Sequence, residues 1–211
     1  MTRTRIKFCG MTRLEDALVA AALGADAIGL VFTRHSKRFI TPEHAAAIRD
    51  ALPPLVSTVA LFMDDQADWV ATVERALRPD MLQFHGVETP AYCESFATPY
   101  LKAIAMAGME DVMALLDAHP KARGFLLDGH APGEAGGSGQ RFDWSRVPSG
   151  SGRSLLLAGG LHADNVADAI RVARPWGVDV SSGIESAPGI KDPRAMRDFI
   201  ARVRNADQTM A

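Results

Sequence analysis

Short apolar runs recur along the chain, separated by stretches in which apolar residues return every three or four positions. The first run is Arg5-Ile6-Lys7-Phe8-Cys9. Others fall at Ala27 to Phe32, Ser57 to Met63, Met81 to His85, Tyr100 to Met106, Gly124 to Asp128, Ser154 to Ala158 and Gly177 to Val180. Runs such as Ile28-Gly29-Leu30-Val31-Phe32 and Leu155-Leu156-Leu157 do not alternate with polar residues, as expected of parallel strands covered on both faces. Their centres lie about 25 residues apart, which leaves room for a strand, a helix and two short loops. Between them, Val166, Ala169, Ile170 and Ala173 form a helical stripe, as do Met196, Phe199, Ile200 and Val203. Helix starts are predicted at Thr12 with Glu15 three residues on, at Thr41 before Pro42 and at Asp192 before Pro193.

Eight βα units form either an open doubly wound sheet or a closed barrel. Closure is favoured because eight strands leave an interior that side chains just fill, and because no Gly-x-Gly-x-x-Gly fingerprint follows the first strand. The expected fold class is α/β, a single-domain (β/α)8 TIM barrel spanning residues 1–211. The longest irregular stretch, Gly129 to Gly152, is rich in Gly, Pro and Ser and reads as a functional loop or as disordered surface.

Composition narrows the function. The chain has 211 residues, 47% hydrophobic and 23% charged, with a formal net charge of −2 and scattered basic residues, so it lacks the basic footprint of a nucleic-acid-binding protein. Neither a membrane-spanning apolar run nor a secretory leader is visible, and a cytoplasmic location is expected. Cys9 and Cys93 stand in different contexts without C-x-x-C spacing, which argues against a zinc cage or a disulfide framework.

In such a barrel, chemistry sits where strands end. The first strand ends at Cys9, before a glycine turn, which suits a thiolate base or nucleophile but equally a core cysteine. Cys93, inside the helix-like segment Pro90 to Ala97, reads as packing. Asp128 closes the apolar run Gly124-Phe125-Leu126-Leu127, where burial would raise its pKa and suit a general acid, or it caps a loop. Gly159-Gly160 and Ser181-Ser182-Gly183 follow the seventh and eighth strands, whose loops frequently hold phosphate in these barrels. Arg38 could fork onto a substrate carboxylate or be plain surface. His85, beside Gln83 and without a carboxylate partner at metal spacing, reads as a hydrogen-bonded histidine at the mouth, and His130 as exposed.

These residues sit in seven pieces: Lys7-Phe8-Cys9-Gly10-Met11-Thr12, Ser36-Lys37-Arg38-Phe39-Ile40, Gln83-Phe84-His85-Gly86, Leu127-Asp128, Gly136-Gly137-Ser138-Gly139 with Phe142-Asp143-Trp144, Leu157-Ala158-Gly159-Gly160-Leu161, and Val178-Asp179-Val180-Ser181-Ser182-Gly183-Ile184-Glu185. In this order and spacing, spread over nearly the whole chain, they resemble the phosphoribosylanthranilate isomerase family. The resemblance implies an Amadori rearrangement of N-(5′-phosphoribosyl)anthranilate in tryptophan biosynthesis, without cofactor or metal. It implies Cys9 as general base, Asp128 as general acid, and Arg38, Gln83, His85 and Asp179 around the substrate. Gly159, Gly160, Ser181, Ser182 and Gly183 would hold its phosphate, and Gly136 to Gly139 would cover the mouth. The sequence departs from the family pattern at Gly129-His130, where similar sequences often carry small hydroxyl residues. Related barrels fit less well: indole-glycerol-phosphate synthase, the aminoaldose isomerase of histidine biosynthesis and ribulose-phosphate epimerase use other residue sets. A non-catalytic phosphosugar-binding barrel would have no need of Cys9 and Asp128. Monomers and dimers both occur among similar proteins; no long apolar surface strip is visible here, which favours a monomer. Ordinary pKa values of roughly 3.9 for aspartate and 8.5 for cysteine would place the shared proton on the thiol. The site is therefore expected to invert that order, with Lys7 favouring the thiolate and the substrate's anions favouring protonated Asp128.

Overall fold

The computed structural model describes residues 3–130 and 141–210. Eight parallel strands close into a barrel in sequence order: β1 (Arg5–Phe8), β2 (Ala27–Val31), β3 (Ser57–Phe62), β4 (Met81–Phe84), β5 (Tyr100–Ala105), β6 (Gly124–Asp128), β7 (Leu155–Leu157) and β8 (Gly177–Val180). Every run predicted from the pattern is a strand, with each end within a residue of its expected place. Closure is made by β1 against β8, where Lys7 pairs with Asp179 and Phe8 with Val180.

Around the barrel lie α1 (Leu14–Leu23), α2 (Pro42–Ala51), α3 (Ala67–Leu77), α4 (Pro90–Cys93), α5 (Val112–Ala118), α6 (Val166–Ala173) and α7 (Pro193–Thr209). The sixth unit departs from the βα pattern: among the described residues, only the short 3-10 turn Trp144–Arg146 stands between β6 and β7. Thr41 and Asp192 cap α2 and α7 as the sequence suggests. Thr12 does not cap α1. Its hydroxyl donates instead to the Gly189 carbonyl at 2.5 Å, tying the β1–α1 turn to a hairpin after β8. That hairpin, β9 (Glu185–Ala187) with β10 (Ile190–Lys191), is antiparallel and was not legible in the apolar pattern. No described helix is long and apolar enough to cross a membrane.

The period of two along each strand separates two interiors. Ile6, Phe8, Phe84, Phe125, Leu127 and Val178 join the outer core beneath the helices. Ala103, Leu126, Leu156 and Ala158 form a small separate cluster inside the barrel. Lys7 and Cys9, Gln83 and His85, and Asp128 two residues beyond Leu126 share that inward face. Polar side chains thus fill the barrel above a thin apolar floor.

Candidate active site

A cavity of about 650 Å³ opens over the C-terminal ends of the strands, lined among others by Cys9, Arg38, His85, Asp128, Gly160 and Ser182. All the residues named as site candidates border it, with Gly183 adjoining through the turn Ser182–Ile184. Cys9 is 6% exposed and Asp128 5%, and both line this space. The base and acid candidates stand on β1 and β6, with β7 and β8 between them around the barrel wall.

On the cysteine side, Lys7 Nζ donates to Asp179 Oδ1 at 2.7 Å inside the barrel. Burial opposes the ammonium, but Asp179 and Cys9 outweigh it and hold its proton more tightly than in free lysine. For Cys9 burial wins: although Lys7 and Lys191 favour the thiolate, desolvation together with Asp179 raises the thiol above its ordinary value. Gly29, facing it from β2, leaves the space for the sulfur; a Cβ there would lie 2.8 Å from Sγ.

The acid side also departs from expectation. Burial alone would raise the Asp128 pKa, but contacts from His130 and then His85 override it and hold the carboxyl well below the ordinary range. His85 Nε2 is 3.4 Å from Oδ2 and His130 Nδ1 is 3.5 Å from Oδ1, ion-pair separations longer than a good hydrogen bond. The two imidazoles stack with centroids 4.8 Å apart. His130 is therefore not exposed, as its place in a glycine-rich loop suggested; it is 2% exposed. His85 does have a carboxylate partner, brought from β6 rather than from its own neighbourhood. In the free protein the thiol keeps its proton and the carboxylate lacks one, so the expected inversion is not built into the chain alone.

Arg38 reaches over Gly10 into the cavity rim, but its fork is already engaged. Nε and Nη2 donate to Glu185 at 2.8 and 2.7 Å, leaving Nη1 as the guanidinium nitrogen without a partner among the described residues. Glu185 also accepts from Lys191 Nζ at 2.7 Å. Lys191, 1% exposed, donates as well to the Cys9 carbonyl at 2.6 Å and the Ser181 carbonyl at 3.2 Å. One buried ammonium thus joins the ends of β1 and β8 to the hairpin. Sequence reasoning missed Lys191 and the structural part of Glu185, since a lysine in a two-residue strand carries no pattern of its own.

After β7, Gly159 and Gly160 adopt φ of 83° and 60°, a left-handed turn open to glycine. Among the described residues their amides meet no backbone acceptor, and Asn165 fixes the turn by donating to the Gly160 carbonyl at 2.8 Å. Gly183 packs so closely on this loop that a Cβ would lie 2.0 Å from the Leu161 carbonyl oxygen. The two glycine loops therefore form one surface of free amide dipoles, suited to an anion. The segment 136–139, expected to cover the mouth, lies outside the described residues.

The family model described as N-(5′-phosphoribosyl)anthranilate (PRA) isomerase matches residues 6–202. The chain belongs to the phosphoribosylanthranilate isomerase family. It is 55% identical over 210 residues to N-(5′-phosphoribosyl)anthranilate isomerase of Stenotrophomonas maltophilia strain R551-3, covering 99% of this chain and 96% of that protein. The crystal structure of the Thermotoga maritima phosphoribosylanthranilate isomerase superposes with a TM-score of 0.88 at 39% identity, covering 96% of this chain and 99% of that one. A further isomerase of the family, at 36% identity and TM-score 0.81 with 96% and 99% coverage, was crystallised with reduced 1-(o-carboxyphenylamino)-1-deoxyribulose 5-phosphate. As a member of that family the chain is an isomerase of tryptophan biosynthesis.

Proposed function

We propose that Cys9 and Asp128 divide the proton transfers of the isomerisation, working from two sides of the substrate's ribose. The observation that carries this is their placement: one thiol and one carboxyl, each buried, each bordering the same cavity, with the amide nest of Gly159, Gly160, Ser182 and Gly183 on its rim. A phosphate in the nest and a carboxylate at Arg38 Nη1 would fix the two ends of the substrate, with Ser181 lining the phosphate end and Gln83, His85 and Asp179 lining the middle.

The first step opens the furanose. The anthranilate nitrogen pushes in its lone pair, the ring C–O bond breaks, and the departing oxygen takes a proton from the Asp128 cluster. The resulting iminium acidifies the neighbouring C–H; the Cys9 thiolate removes that proton, giving an enolamine that tautomerises to the ketone. After these two transfers Cys9 holds a proton and Asp128 has lost one. That is the arrangement of the free protein, so each turnover requires one proton to pass from the thiol side to the carboxylate side. The imidazoles against Asp128 offer a path on which the carboxylate shares that proton, and the acid is then the three-residue cluster rather than the carboxyl alone.

The whole chain acts as one folding unit in this reading, because the barrel closes only by pairing its first strand with its eighth. A monomer is the form we propose: among the described residues the exposed large apolar side chains are scattered over the surface, with Leu14 and Leu18 on α1 as a pair and Leu55, Val87, Met113, Val172, Trp176, Ile190 and Met210 on other segments. A cytoplasmic location suits a phosphorylated metabolite as substrate. The test is a purified-protein assay following loss of substrate fluorescence, with substrate generated in situ, comparing wild type with Cys9→Ser and Asp128→Asn. Turnover is expected to fall by more than about a hundredfold in both variants, the upper part of the range for general acid–base catalysis. A variant with near-wild-type turnover removes that residue from its role.

A further inference from the structure

The acid cluster has ligand chemistry besides its part in proton transfer. His85, Asp128 and His130 each offer one donor atom, and these lie within 4.8 Å of one another. His85 Nε2 and His130 Nδ1 are buried and lack hydrogen-bond partners among the described residues, although both face the same carboxylate. Ligands about 2.1 Å from a tetrahedral ion stand about 3.4 Å apart; here His85 Nε2 lies 3.4 Å from Asp128 Oδ2 and His130 Nδ1 lies 3.5 Å from Oδ1, each imidazole facing its own carboxylate oxygen, and the three donors draw together to share one ion. The cavity provides an open fourth position. Gln83 supplies an outer partner: its Nε2 lies 3.0 Å from His85 Nδ1, while its Oε1 is buried without a partner. Turning the amide over makes Oε1 the acceptor of an Nδ1–H bond. With its other proton held on Nδ1, His85 Nε2 takes a metal by giving up the proton it shares with Asp128, the state in which a histidine binds a metal.

We propose that His85, Asp128 and His130 form a binding site for a divalent first-row transition ion such as Zn²⁺, and that its occupation arrests the isomerase by withdrawing Asp128 from proton transfer. Two imidazoles favour such an ion over Mg²⁺ or Ca²⁺, which take oxygen ligands. The binding half rests on geometry alone, whereas the arrest half rests on the reading of Asp128 as the acid.

The experiment titrates the chelator-treated full chain with Co²⁺ and records its visible spectrum for wild type, His130→Asn and His85→Asn. Turnover of the wild type is then followed during Zn²⁺ addition and after chelation. Expected are one ion per chain with the ligand-field bands of a four- or five-coordinate nitrogen–oxygen site and binding at least about tenfold weaker in each variant. Turnover should be lost in step with occupancy and restored by chelator. Equal Co²⁺ affinity in a folded His130→Asn, or a thiolate-to-cobalt charge-transfer band marking Cys9 as a ligand, overturns the site; His130→Gln replaces the asparagine variant if circular dichroism shows that variant unfolded. Binding at the cluster with turnover undiminished upholds the site and overturns the arrest, and with it the role of Asp128.

Discussion

Gly29→Ala tests how closely the barrel interior is fitted around the thiol. Gly29 lies on β2, and its carbonyl accepts from the amides of Gly10 and Met11 at 2.9 and 3.0 Å, so its backbone is pinned to the segment that carries Cys9. An alanine methyl would stand 2.8 Å from Cys9 Sγ, 3.0 Å from Cys9 Cα and 3.1 Å from Lys7 Nζ. Comfortable carbon contacts begin near about 3.5 Å, so the Cα atoms must separate by roughly half an ångström and the sulfur must swing away. Overpacking of this kind costs about 1–3 kcal/mol, which in a protein of this size lowers Tm by several degrees. Displacing a reacting atom by up to an ångström costs about a hundredfold in rate, so kcat is expected to fall by about 10- to 100-fold. The phosphate nest is on the loops after β7 and β8, whereas the atoms nearest the added methyl belong to Lys7 and Cys9, so the nest should lose less affinity than the site loses in kcat. Fluorescence turnover, calorimetry and titration with inorganic phosphate read the three quantities. Wild-type kcat and Tm in Gly29→Ala, or a loss of phosphate affinity as large as the loss of kcat, would refute the reasoning.

Other perturbations separate binding, stability and charge. Arg38→Ala should raise KM by more than it lowers kcat, since Nη1 is proposed to meet a non-reacting carboxylate; steady-state kinetics showing the reverse split would move Arg38 into the chemistry. Lys7→Met leaves Asp179 buried and unpaired, and should destabilise the fold by about 3–5 kcal/mol in denaturant titration. The double variant Lys7→Met, Asp179→Leu should recover most of that stability without recovering activity. Burial, aided by Lys102, pushes His119 down to about 4. Above pH 6.5 it is neutral folded or unfolded, and its contribution is fully present. As pH falls from 6.5 to 4 only the unfolded chain takes up the proton, and stability declines by on the order of 1–2 kcal/mol after solvent screening. His119→Gln should flatten that part of the stability–pH curve, and an unchanged slope would exclude the residue as its source.

The fold was legible because parallel strands buried on both faces write themselves as apolar runs, and all eight did. The identities of Cys9, Asp128 and Arg38 were legible through their neighbours, as motif pieces in a fixed order. What could not be read was what those residues meet. Asp128 ends an apolar run, which by itself argues for a raised pKa; of the two imidazoles that reverse the shift, His85 comes from the end of β4, two strands away in the sheet, and His130, two residues on in the chain, turns back onto the carboxyl. His130 looked like surface because glycine-rich loops usually are, yet its ring stacks on His85 and is lost from solvent. Lys191 and the Glu185 carboxylate likewise acquire their meaning from a hairpin of five strand residues, too short to leave a period. Thr12 has the sequence of a cap, but its hydroxyl is taken by a carbonyl 177 residues away.

The division of labour between sulfur and carboxyl is tested most directly by single-turnover kinetics on substrate carrying deuterium at the ribose carbon next to the aminated one. Cys9→Ser should bind substrate within a few-fold of wild type while losing proton abstraction, and Asp128→Asn should fail earlier, before the deuterium-sensitive step. A Cys9→Ser protein that still abstracts the deuteron at a rate within about tenfold of wild type would contradict the account.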